Sequence, residues 1–192
     1  MKQQIKSNSI KSLEDIQIIK EYLRSKHNFN YDRHLLYFVL GINICLKPEQ
    51  LLKLKWEQIL NINYTIRDFI VYNNYRFYLN KSCKDAIYSF MSRYDNYKYY
   101  QYIFGNNKPL VIQTINKILG DAEKDLHLQY NLSALSLHKT FIYWQVVNYH
   151  YDYVKMSKLR YLIYQTSKSK DLNTYAEYNI NDDMIYINDI NL

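Results

Sequence analysis

Residues 35–46 read Leu-Leu-Tyr-Phe-Val-Leu-Gly-Ile-Asn-Ile-Cys-Leu, an apolar run interrupted only by Gly41 and Asn43. A surface helix shows one apolar stripe, so a helix that is apolar nearly all round has to be enclosed by other elements. The run therefore predicts a buried central helix, against which the rest of the chain packs. It is too short to cross a bilayer. The residues that follow, Lys47-Pro48-Glu49-Gln50-Leu51-Leu52-Lys53-Leu54, predict a sharp turn and a short third helix. Proline is well placed in the first turn there, where its missing amide would have no partner anyway.

The chain has 192 residues, enough for one domain with its own core. With 48% hydrophobic and 22% charged residues it is a folding sequence rather than a disordered one. Only 3 Gly and 2 Pro occur, which disfavours glycine-rich phosphate loops and turn-dense strand architectures. The expected class is α+β, mainly helical. Cys45 and Cys83 lie in apolar contexts with no second thiol or histidine pair nearby, so buried reduced thiols are expected, with no metal site and no cofactor. No apolar leader follows Met1-Lys2-Gln3-Gln4, and a cytoplasmic protein with no membrane association is expected.

Charge is unevenly distributed. The net charge is +7, and every Lys and Arg precedes residue 171, while Asp171, Glu177, Asp182, Asp183 and Asp189 follow. A basic body suits a polyanion through counterion release, although lysine-rich surfaces also serve solubility. The 23 tyrosines reflect composition more than chemistry, so a single tyrosine counts for little.

Local signals place the other elements. Ser12 and Asp15 approximate a capping box, and Leu13, Ile16, Ile19 and Leu23 then share a helical face, predicting a first helix to about Lys26. His27 to Asn30 is a polar break before the central helix. Trp56 and Ile59 are expected to close the core. The β-branched and aromatic stretch at about 64–79, with Asn73-Asn74 as its turn, predicts a small antiparallel sheet. Helical patterns return at Cys83 to Ser92, Val111 to Lys124, Lys139 to Asn148 and Val154 to Gln165, while Tyr94 to Tyr102 is expected to be aromatic surface or a packed connector. A single domain over 1–192 is expected, with residues 1–11 loose and 179–192 a tail that either folds back or is exchanged between protomers. No internal repeat stands out.

The segment Arg33 to Ile59 resembles the first conserved box of the tyrosine recombinases, the phage integrase family. There a buried helix leads into a Thr-Gly-Leu-Arg turn, a Leu-Leu-x-Leu helix and a Trp-x-Asp-Ile strand entry. Phe104 with Pro109-Leu110, then His138-Lys139-Thr140-Phe141-Ile142-Tyr143-Trp144, then Tyr178-Asn179-Ile180-Asn181-Asp182-Asp183 are similar to three further blocks in the family's order. The resemblance covers about Ser12 to Leu192 and implies a recombinase catalytic-domain fold that binds duplex DNA. No counterpart of the separate amino-terminal clamp domain is expected.

In that family a tyrosine attacks a DNA phosphate to form a 3′-phosphotyrosyl link and release a 5′-hydroxyl. The resemblance puts Tyr178 at the nucleophile, with Tyr175 as the alternate if the register slips. Lys47 stands at the first arginine and His138 at the second, a degenerate set, because the planar two-donor guanidinium is lost at both. Leu135 stands where a histidine is common, Ser169 falls on the later histidine, and the leaving-group lysine has no clear counterpart, Arg76 being too weak an acid. DNA phosphates are expected to meet Lys53, Lys55, Lys139, Lys155, Lys158, Arg160, Lys168 and Lys170. Three functions follow as alternatives: an impaired DNA-binding protein in recombination or integration of a mobile element, an active recombinase with a reassigned site, or an interaction module that pairs with itself or with a complete integrase through the tail.

Overall fold

Helix α1 (Leu13–Ser25) begins where its signals place it: Ser12 is the N-cap, and its Oγ accepts from the Asp15 amide at 3.2 Å. Ile16, Ile19 and Leu23 form its buried face. The structure is a computed structural model that describes residues 7–26, 29–72, 75–94, 97–149 and 151–167. Helix α2 (Phe29–Asn43) starts inside the polar stretch expected to break the chain. Its first-turn Asp32 accepts from Arg93 Nη1 at 2.9 Å and from the Tyr94 hydroxyl at 2.6 Å, a tertiary anchor with no local signature.

As the apolar run predicts, α2 is central and packs against α1, α5 and α7. Gly41 is what lets α7 approach. An added Cβ would stand 2.9 Å from Leu137 Cδ1 and 3.0 Å from Leu137 Cβ. Gly41→Ala is expected to destabilise by about 1–3 kcal/mol in urea unfolding. The cost should be smaller by at least about 0.5 kcal/mol in a Leu137→Ala background, because the two side chains compete for one space; strict additivity would contradict the close approach.

Two very short helices follow, α3 (Pro48–Leu52) and α4 (Trp56–Ile59), with Pro48 in the first turn of α3 as expected. Each is entered by the same four-residue pattern, Lys47-Pro48-Glu49-Gln50 and Lys55-Trp56-Glu57-Gln58. In each the glutamine side-chain oxygen accepts the lysine backbone N–H at 2.9 Å. A single turn is unstable alone, so this back-capping and the burial of Leu51, Leu52, Trp56 and Ile59 hold both in place. Where the resemblance implies a strand entry, the chain makes only an isolated bridge from Lys55 to Tyr102, then the α4 turn, then a second bridge between Leu60 and Ile66.

Strands β1 (Phe69–Tyr72) and β2 (Tyr75–Tyr78) form the expected antiparallel pair, in register from Phe69 opposite Tyr78 to Tyr72 opposite Tyr75. Ile70 and Phe77 are opposite one another and buried. The expected turn residues Asn73 and Asn74 lie outside the described residues. Helix α5 (Lys81–Arg93) is capped by Asn80, whose Oδ1 accepts from the Cys83 amide at 2.9 Å. The described part of the stretch between 94 and 102 is partly a packed connector and partly aromatic surface: the Tyr97 ring lies 4.7 Å from Trp56 and the Tyr99 hydroxyl donates to the Leu60 carbonyl at 3.2 Å, while Tyr100 is exposed. Cys45 and Cys83 are buried thiols, and burial pushes the Cys83 thiol up to about 12.

Helix α6 (Ile112–Asp125) matches its pattern, and α8 (Tyr153–Ser167) lies close to its expected span. Helix α7 (Ala134–Tyr149) begins well before Lys139, its expected start. Asn116 Oδ1 on α6 accepts from the Ala134 amide at 2.9 Å, so a neighbouring helix supplies its start signal. Of the stretch 1–11, expected to be loose, residues 7–11 lie on α7. The Ile10 amide donates to Thr140 Oγ1 at 2.8 Å, Trp144 Nε1 donates to the Ile10 carbonyl at 3.1 Å, and Ile10 is fully buried. Buried side chains from all eight helices and both strands among the described residues join in one core.

Candidate nucleic-acid interface

Lys47 is positioned by the end of α2. After Asn43 the backbone turns, with the Leu46 amide donating to the Ile44 carbonyl at 2.7 Å, and Lys47 becomes the extended N-cap of α3. Its half-buried side chain lies close enough to His138 on α7 for its charge to act on that imidazole. The structure thus brings together two residues ninety-one positions apart that the resemblance pairs.

His138 is 1% exposed. Burial, reinforced by the charge of Lys47, holds its pKa down to about 4, so the imidazole is neutral near pH 7. Neighbouring Ser136 and Thr140 are equally enclosed, so this stretch of α7 is core. Leu135, one turn earlier on α7, is 36% exposed, an apolar group that neither gives nor takes a proton.

Beside this pair lies a cavity of about 400 Å³, lined by Ile44 and Cys45 just before Lys47, by Arg76 on β2, and by Phe141, Gln145 and Asn148 on α7. The Arg76 guanidinium lies 4.7 Å from the Phe69 ring centroid. Asn148 Oδ1 is buried without a hydrogen-bond partner. Gln145 and Asn148 are absent from the sequence expectations, because α7 is apolar on nearly every side and offers no polar stripe to read. Arg33, at the head of the resembling segment, is an internal residue: it is buried, Nη2 donates to Asn106 Oδ1 at 3.3 Å, and desolvation lowers its pKa.

The other expected phosphate contacts divide. Lys53, Lys158 and Arg160 are exposed. Lys55 pairs with Glu57 at 3.6 Å and lies 5.6 Å from the Tyr102 ring centroid. Lys155 pairs with Asp152 at 3.3 Å and lies 4.7 Å from the Tyr149 ring centroid. Lys139 donates to the Ser7 carbonyl at 2.7 Å, tying residues 7–11 to α7. Lys168, Ser169, Lys170, Tyr175, Tyr178 and the tail 179–192 lie outside the described residues. The described site offers a cation at Lys47 with a neutral imidazole near it, and a partly polar cavity that Arg76 lines and that reaches Cys45, two residues before Lys47. That arrangement can hold a phosphate by charge; it has no pair of guanidinium forks converging on one.

No family model matches the chain, and no curated protein matches it by sequence. Among solved structures, the fold is similar to the crystal structure of XerA recombinase, with a TM-score of 0.65 at 14% identity over 95% of this chain. The match takes in 62% of that chain, so this chain spans less than two thirds of its length. The likeness is one of fold: mainly helical, with a small two-stranded antiparallel sheet. No described helix is long and apolar enough to cross a membrane.

Proposed function

We propose that this chain is a DNA-binding protein of tyrosine-recombinase fold, impaired in strand cleavage, that acts in or regulates the recombination or integration of a mobile element. The observation that carries this reading is His138, enclosed and neutral behind Lys47, at the position where the resembling family has its second arginine. Phosphoryl transfer spreads negative charge over non-bridging oxygens, and catalysis rests on preplaced cationic donors. Losing one such donor costs on the order of a hundredfold in rate. Here one guanidinium is replaced by an ammonium, the other by a neutral ring, and a neighbouring proton donor by Leu135.

Binding makes smaller demands. Positive charge facing the duplex suffices for phosphate contacts, and the half-buried Lys47 with the exposed Lys53, Lys158 and Arg160 are the candidates for it, without the geometry that cleavage needs. Duplex binding at low salt is expected to fall by about a hundredfold or more toward physiological salt, the behaviour of four or more neutralised phosphates. On a nicked suicide duplex, wild type and Tyr178→Phe are expected to give equally little covalent adduct. Salt-insensitive or absent binding overturns the DNA reading. An adduct formed by wild type and lost in Tyr178→Phe overturns the impairment and makes the chain an active recombinase.

A further inference from the structure

Three helices leave a groove of about 300 Å³ near the N-terminal half of α2, at the other end of that helix from Lys47. Its lining includes Leu36, Val39, Ala86 and Phe90, which make an apolar floor, with Lys20 and Arg24 of α1 on one side. These two cations are one turn apart on the same face, and among the described residues neither makes an ion pair or a side-chain hydrogen bond.

We infer that this groove binds a small amphipathic carboxylate, its stem on the apolar floor and its headgroup between Lys20 and Arg24.

The acids that line the groove do not serve those cations. Asp32 is engaged by Arg93 and the Tyr94 hydroxyl, and Asp85 by Lys81 at 2.7 Å. Lys20 is half-buried, and burial together with the charge of Arg24 lowers its pKa. Like charges one helical turn apart repel, and a partly desolvated ammonium without a counterion is unfavourable. A bound carboxylate would relieve both penalties with charge-assisted hydrogen bonds. The volume is at the small end of the range for small-molecule sites, which calls for a short stem. The apolar floor disfavours a bare phosphate, and the pair of cations disfavours a neutral or cationic amphiphile.

Calorimetric titration of the whole chain with octanoate, and separately with octylammonium of the same stem length, tests this site. Octanoate is expected to bind saturably at one site, and octylammonium at least about tenfold more weakly. The surface double variant Lys20→Gln/Arg24→Gln is expected to weaken octanoate by about tenfold or more with unchanged circular dichroism. Ala86→Trp, which fills the groove while keeping both cations, is expected to abolish binding. Equal binding of the two amphiphiles, unchanged octanoate binding in the double variant, undiminished binding in Ala86→Trp, or no saturable binding at all would each overturn the site. DNA affinity is not involved in any of these outcomes, so they are separable from the nucleic-acid reading.

Discussion

Gly105→Ala is expected to lower the free energy of unfolding by about 3 kcal/mol or more, a combination of backbone strain and overpacking. Gly105 has φ 153°, a region that side-chain-bearing residues rarely adopt, and a Cβ built there would lie 2.0 Å from the Lys108 carbonyl oxygen. The obstruction is backbone, which cannot swing aside as a side chain can. The turn is also closed: Gly105 bridges to Pro109, and the Leu110 amide donates to the Phe104 carbonyl at 2.6 Å. Any opening would shift Phe104, fully buried and edge-on to Tyr37 at 5.0 Å, and so disturb the central helix. Gly120 provides the control. It lies on α6, an added Cβ there meets nothing within 4 Å, and Gly120→Ala is expected to be neutral or to stabilise by up to about 1 kcal/mol. Urea midpoints for the two variants check the contrast, and a comparable loss at both positions would contradict the turn geometry.

The parts of this fold that were legible in the sequence have local causes. Ser12 announces α1 and Pro48 announces α3, because a cap or a proline acts within a few residues of itself. The central position of α2 could be read from composition alone, since an all-round apolar helix has only one kind of environment available. The start of α7 has only a faint local trace, the Ser133 amide donating to Ser136 Oγ, and Asn116 on another helix takes up the Ala134 amide. The docking of residues 7–11 could not be read this way, since it depends on Thr140, Trp144 and Lys139, all more than 125 positions away.

The candidate site divides along the same line. The approach of Lys47 to His138 followed from the resemblance of ordered blocks, not from any periodicity in the residues. The bond from Lys139 to Ser7 has no sequence signal either: a lysine's charge is plain in the sequence, but the carbonyl it meets is not. Gln145 and Asn148 carry no sequence signal, because two amides on an apolar helix resemble ordinary boundary residues and only the cavity beside them sets them apart.

Acid should destabilise this protein steeply, through two enclosed histidines. Burial holds His138 down to about 4, with Lys47 adding to the effect, and burial then Arg33 hold His34 down to about 4, against 6.5 for an unperturbed imidazole. Well above pH 6.5 both rings are neutral, folded or unfolded, and contribute no pH dependence. Between 6.5 and about 4 the unfolded chain takes up protons that the folded chain refuses, so stability falls as pH falls. Each ring contributes a slope of up to about 1.4 kcal/mol per pH unit, and a total loss on the order of 3 kcal/mol by pH 4. Together they are comparable with much of the stability of a typical domain. Carboxylates titrate near the lower end of this window, so the informative quantity is a difference between variants. His138→Gln keeps a polar side chain that does not titrate. Whatever its effect at pH 7.5, its urea-derived stability is expected to fall less steeply between pH 6.5 and 4.5, by about 1 kcal/mol per unit relative to wild type. An unchanged slope would mean that His138 takes up its proton in the folded chain. Such a protonated ring behind Lys47 would restore the second cation that the proposed loss of cleavage depends on lacking.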